Sequence, residues 1–201
     1  MSFNIPVPRT GTGEREITNA EIAYHSVIRP MLRKLDGERE VAFLGRRFRV
    51  TGEDVEQLSG KPAHINCKGV LVWYFTFGGE GEPSFEFASL QSFSHGIFRG
   101  AAWEPYTGAS LSEFRGTAAA LGAGFLRRER YGEAWLLFAL PKVPVLLTYS
   151  EADEEFPAVL DIKFGKNADT FLPFETLAVL HGLIKREFGA WGARPRPALQ
   201  G

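Results

Sequence analysis

Along this chain, stretches with apolar residues at every third or fourth position give way to stretches where apolar and polar residues alternate. These are the marks of amphipathic helix and half-buried strand. The first helical stretch opens on Thr18 with Glu21 three residues later, a capping box in which each side chain accepts from the other's backbone N–H. Ile22, His25, Ile28, Leu32 and Leu35 then fall on one helical face. Pro30 has no N–H, and its ring would meet the Ser26 carbonyl, so a kink or restart is expected there; Gly37 suits the stop. Residues 40–44 and 46–51 pivot on Gly45, and Phe48 and Val50 alternate with Arg47 and Arg49, which predicts a hairpin.

Residues 65–77 fit two descriptions. Their β-branched and aromatic content suits a strand, while their length, with Asn66, Val70, Trp73 and Phe77 on one face, permits a buried helix. The Gly-rich segment 78–83 ends that element, and residues 85–90 alternate as a strand. Ser110 and Glu113 form a second capping box; Leu111, Phe114, Ala118 and Leu121 make one stripe, and Gly122 ends the helix. Strand-like runs follow at 124–130, 134–140, 143–149 and 158–164, with short connections that predict an antiparallel meander. Pro141 and Pro144 cannot donate to a ladder and are expected at strand ends or an edge. The last helix begins near Pro173, carries Glu175 in its first turn, and buries Leu177, Leu180, Ile184 and Phe188; Lys185 and Arg186 lie toward its C-terminus.

The expected fold is therefore α+β, an antiparallel meander sheet packed by an N-terminal, a middle and a C-terminal helix. One domain spans 17–190, with flexible ends at 1–16 and 191–201. A length of 201 residues and a hydrophobic fraction of 44% suffice for one substantial core. The 17 Phe and 4 Trp are more than that core alone requires, so an aromatic interior, an apolar pocket or a homodimer face could absorb the surplus.

A net charge of -1 gives no long-range pull toward nucleic acid or anionic lipid. The arginines at 46, 47 and 49, and at 127, 128 and 130, read as solvated strand faces, and no nucleic-acid partner is expected. Charged residues or glycines interrupt every apolar run, so no membrane span is expected. The polar, Pro- and Gly-containing residues 1–15 lack the apolar core of a signal peptide, which makes the cytoplasm the expected compartment. The single cysteine, Cys67, excludes an internal disulfide and a cysteine-ligated iron–sulfur cluster within this chain.

Phosphate-cradling, dinucleotide-binding, nucleophile-elbow and EF-hand patterns are all missing, and the four histidines share no helical-turn spacing. His64 and Cys67 form half of a zinc pattern without a second half; a surface histidine beside a buried cysteine is the simpler reading, and no metal is expected. The concentrated feature is acidic: Glu151, Asp153, Glu154 and Glu155 between two strands, then Phe156 and Pro157. Crowded carboxylates repel, and that repulsion can serve acid–base work, hold a cation or be relieved by water. The Phe-Pro pair suggests a loop folded back and packed.

Pro141-Lys142-Val143-Pro144, Tyr149, Asp153-Glu154-Glu155-Phe156-Pro157, Asp161-Ile162-Lys163-Phe164 and Phe171-Leu172-Pro173 with Glu175 together resemble the domain-of-unknown-function family 3786. The likeness is specific over residues 141–184 and weaker before them. Members are mostly from anaerobic bacteria and archaea and have no settled activity. Some are joined to an iron–sulfur domain like those of corrinoid proteins, so the resemblance implies a setting in anaerobic or one-carbon metabolism. Trp is common where Tyr149 stands and Gly where Ala152 stands; a family His-Tyr pair is replaced at Trp73-Tyr74, so any role of that histidine is lost here.

The expected site is the acidic loop with its neighbours: Tyr149, Asp153, Glu154, Glu155 and Phe156, with Glu175 brought close if the loop meets the last helix's N-terminus. With nucleophile and redox motifs absent, binding of a small-molecule or protein partner ranks above catalysis, and no cofactor is specified. The alternative is a carboxylate enzyme, with or without metal assistance, with Asp153, Glu154 or Glu155 as base or cation ligand and Glu175 supporting.

Overall fold

Pro30 shapes the first element. In the computed structural model, which describes Ile22 and residues 24–94 and 110–192, the backbone widens into a π-helical turn at Tyr24–Ile28 and resumes as α1, Arg29–Leu32, with the proline in its first turn. The wide turn accommodates the proline's missing N–H and bulky ring. It also changes the phase of the helix, so Ile28 and Leu32 are buried and Leu35 packs beside them, while Ile22 and His25 lie exposed rather than on the same stripe. The 18–21 capping box, the 1–16 segment, His95 and most of the expected C-terminal tail lie outside the described residues.

The hairpin forms as expected, β1 (Arg39–Phe43) against β2 (Arg46–Val50), and β3 (Val55–Gln57) completes a three-stranded antiparallel sheet. Leu44 and Gly45 both take positive φ, 49° and 70°, the pattern of the tight hairpin turn whose twist matches the strands. Leu44 is buried, and that burial offsets the unfavourable backbone. Gly45 lies against the end of another helix: a Cβ there would sit 2.2 Å from the Ala120 carbonyl oxygen.

Residues 65–77 resolve as a helix, α2 (Ile65–Phe77), capped by His64, whose Nδ1 accepts from the Asn66 N–H. Its buried residues are Cys67, Val70, Leu71 and Val72; of the expected face Val70 is buried and Trp73 half-buried while Asn66 and Phe77 are exposed, because the helix is apolar on most sides and packs against α1, the π-helical turn and the last helix. β4 (Phe87–Ser89) follows, shorter than the alternation predicts. Then come α3 (Leu111–Ala120), with its capping box in place, and the meander β5 (Gly124–Glu129), β6 (Gly132–Leu140), β7 (Val143–Ser150) and β8 (Val159–Gly165). α4 (Phe174–Gly192) closes the described chain.

The second sheet is antiparallel in the order β4-β8-β7-β6-β5. Pro144 sits second in central β7, opposite Phe138, where a bulge already interrupts the ladder. Helices α3 and α4 cover one face. Phe114 of α3 stacks on Tyr149 (4.8 Å between centroids) and on Phe188 of α4 (5.5 Å), with Trp135 edge-on at 6.2 Å. This aromatic column accounts for part of the Phe and Trp surplus. Among the described residues no helix is long and apolar enough to cross a membrane.

Candidate functional site

In β6, alternation puts Glu133, Trp135 and Leu137 on the helix-covered face, with Glu133 paired across to Tyr149. A carboxylate on that face needs partners, and α3 supplies one: Arg115, adjacent to the buried Phe114. Arg115 Nε donates to Glu133 Oε2 (3.0 Å) and Nη2 to Oε1 (2.5 Å), while Trp135 Nε1 donates to Oε2 (3.0 Å). The Glu133 side chain is 4% exposed and that of Arg115 46%, so the pair joins the interior to the surface. The two-pronged bond from Arg115 holds the Glu133 carboxyl below its usual range against the upward push of burial, and the Trp135 bond adds to the lowering.

Over this pair lies an open groove of about 480 Å³. Arg128 and Arg130, at the end of β5 and just beyond it, line one part; Glu151 and Asp153, from the β7–β8 connection, line another; Leu111 and Tyr131 contribute carbon surface. The Arg130 guanidinium rests over the Tyr131 ring, 4.9 Å from its centroid. Neither Arg128 nor Arg130 has a hydrogen-bond or ion-pair partner among the described residues, although Arg127 pairs with Glu129. Gly132 keeps the strands close beside the groove, since a Cβ there would fall 1.8 Å from the Tyr149 carbonyl oxygen.

The sequence-predicted residues are divided among three places. Asp153 lines the groove, and its Oδ1 accepts from the Glu155 and Phe156 N–H groups (2.9 and 2.7 Å), which folds the loop on itself. Glu154, Glu155 and Phe156 are exposed in the same loop; Phe156, at 65% exposure, is not packed down. Tyr149 is in the core, and burial, with Glu151 and Glu113 nearby, raises its hydroxyl pKa. Glu175 is exposed in the first turn of α4, away from the loop. β8 carries the chain from the acidic loop to the far end of the sheet, roughly 20 Å at strand rise, before α4 begins. There Lys142, just before β7, places its Nζ over the Phe171 ring at 5.6 Å. The loop therefore does not face the N-terminus of α4; the Pro-Lys-Val-Pro turn and Leu172-Pro173 gather at one end of the sheet and the acidic loop at the other.

Sequence reasoning missed Arg115, Glu133 and Trp135 and read Arg128 and Arg130 as solvated. The available signal was Glu133 itself, two residues before Trp135 and four before Leu137 on the inward face of a strand. Elsewhere His64 is an exposed helix cap and Cys67 points into the core, where burial raises its thiol pKa. Among the described residues no group of three or more His, Cys, Asp or Glu could hold a metal ion. A second polar cluster ties the first helical turn to β3 and α2: Tyr24 Oη donates to Asp54 Oδ1 (2.6 Å), and Lys68 Nζ donates to both Asp54 oxygens. Burial and the Asp54 bond push the Tyr24 hydroxyl up to about 12.

No curated protein and no solved structure matches this chain. The sequence profile of a domain of unknown function, DUF3786, matches residues 25–187, from the first helical turn into α4 and across both sheets. That match takes in the groove, its buried ion pair and both ends of the meander, and the chain belongs to the DUF3786 family.

Proposed function

We propose that this protein is a non-enzymatic accessory protein that binds a small ligand in the groove above Glu133. The observation that carries this reading is the pairing of a rigid floor with open walls. Glu133 is buried and bonded to Arg115 and Trp135, while Arg128 and Arg130 line the groove with no hydrogen-bond or ion-pair partner among the described residues. Fixed polar groups beneath a concave surface are what orient a small ligand. Asp153 belongs to this site with Glu151, and Glu154, Glu155 and Phe156 extend the same loop. The family resemblance supports a setting in anaerobic or one-carbon metabolism, and the cytoplasm is the compartment proposed with it. The carboxylate-enzyme alternative draws less support, because the loop's carboxylates are exposed and Glu175 lies at the other end of the sheet.

Native mass spectrometry of protein purified without oxygen tests the reading. Extra mass on the folded protein that is lost on denaturation is the expected result. A bare protein, from its own host and from a heterologous one, would contradict it.

A further inference from the structure

We infer that the groove takes a small zwitterion, with a carboxylate or phosphate against Arg128 and Arg130 and an ammonium group against Glu151 and Asp153. The inference rests on the groove being a ligand site and names the chemistry of what it holds. Six charged side chains line the groove, and two of them, Arg115 and Glu133, satisfy each other on its floor. What remains is two guanidinium groups from the end of β5 and two carboxylates from the β7–β8 connection. A simple anion is drawn to the arginines and repelled by the carboxylates, and a simple cation meets the reverse. A ligand carrying both charges, set in one direction, is attracted at both ends.

The arrangement is partly organised in advance. Asp153 is held by its Oδ1, which accepts two backbone N–H groups, and by its own N–H, which donates to the Phe156 carbonyl at 3.0 Å. Its other oxygen has no hydrogen-bond partner among the described residues and is left for a ligand's donor. The Arg130 guanidinium is steadied over Tyr131, and a guanidinium presents the paired donors that suit a carboxylate or phosphate. Leu111 and the Tyr131 ring offer carbon surface to a short linker between the two charges. A site whose polar groups are already oriented loses less freedom on binding.

The test follows the indole N–H resonance of Trp135, which reports on the floor through its bond to Glu133. The probes are O-phosphoethanolamine, 4-aminobutanoate, inorganic phosphate, acetate and ethylammonium. The zwitterion sharing the ligand's anionic group should shift this resonance at concentrations about tenfold or more below any singly charged probe, and the better of the two distinguishes phosphate from carboxylate. Replacing Arg128 and Arg130 together by Ala should abolish the shift. Glu151→Gln with Asp153→Asn should reduce zwitterion binding to the level of phosphate or acetate alone, with the melting temperature of each variant confirming that it folds. Singly charged probes binding as tightly as the zwitterions would overturn the inference and leave the groove a ligand site. No response to any probe from a protein that is purified with a bound mass and then freed of it by unfolding and refolding would also overturn the inference alone. No response from a protein that is never purified with a bound mass would overturn both.

Discussion

The floor of the groove and the loop beside it both carry carboxylates, and the fold treats them in opposite ways. Glu133 stands alone in a strand, 3% exposed, with both oxygens bonded to side chains from α3 and β6. In the loop, three acidic residues stand in succession, all exposed, and its bonds run mainly to its own backbone. Charge density along a sequence is thus a poor guide to where charge is constrained. A run of acids is most easily accommodated in water, whereas a single acid on an apolar face must be met by specific partners or not be there at all.

Two aromatic substitutions should separate the regions most sharply. Tyr149→Ala removes a ring stacked in the core and should cost about 3–5 kcal/mol, read by chemical denaturation. Phe156→Ala, seven residues later, should change stability by less than about 0.5 kcal/mol. Comparable losses at both positions would mean that the loop is packed against the core.

Next in size is the floor itself. Glu133→Gln keeps the shape and removes the charge facing Arg115, which should destabilise by about 1–2 kcal/mol, the low end applying because the arginine remains half open to water. Trp135 fluorescence should respond. Because folding lowers the Glu133 carboxyl below its ordinary value of 4.5, the stability it contributes is complete above that pH and is lost as pH falls through the folded-state value. The gap between wild type and variant should therefore narrow on acidification; a gap unchanged from neutral pH to well below that value would separate the effect from the ion pair.

Within the loop the effects should be smaller. Asp153→Ala frees two backbone N–H groups at the surface and should cost about 0.5–1 kcal/mol, while Asp153→Asn, which keeps the acceptor, should cost less. Glu154→Gln with Glu155→Gln should stay within about 0.5 kcal/mol of wild type by thermal melting.

Much of this architecture could be read from the sequence because it depends on local signals. The Ser110–Glu113 box, the Gly45 turn, the meander and the Leu177–Phe188 stripe each follow from spacing within a few residues. The elements that escaped depend on tertiary context. Residues 65–77 are helical because an all-round apolar segment finds walls on several sides, which periodicity does not encode. β3 is three residues long and exists only as a partner for β2. At the site, Asp153 was legible as part of an acidic run, but Arg115 reaches Glu133 across 18 positions and a helix-to-sheet contact. Tyr149 and Glu175 were grouped with the loop by their place in the family motif, and the topology sends one inward and the other to the far end of the sheet.

The most direct test of the account compares ligand retention by native mass spectrometry in three oxygen-free preparations: wild type, Arg128→Ala with Arg130→Ala, and Glu154→Gln with Glu155→Gln. The account predicts a bound mass on wild type and on the glutamate variant, and its loss from the arginine variant. A mass kept by the arginine variant and lost from the glutamate variant would move the site from the groove to the tip of the loop and contradict the account.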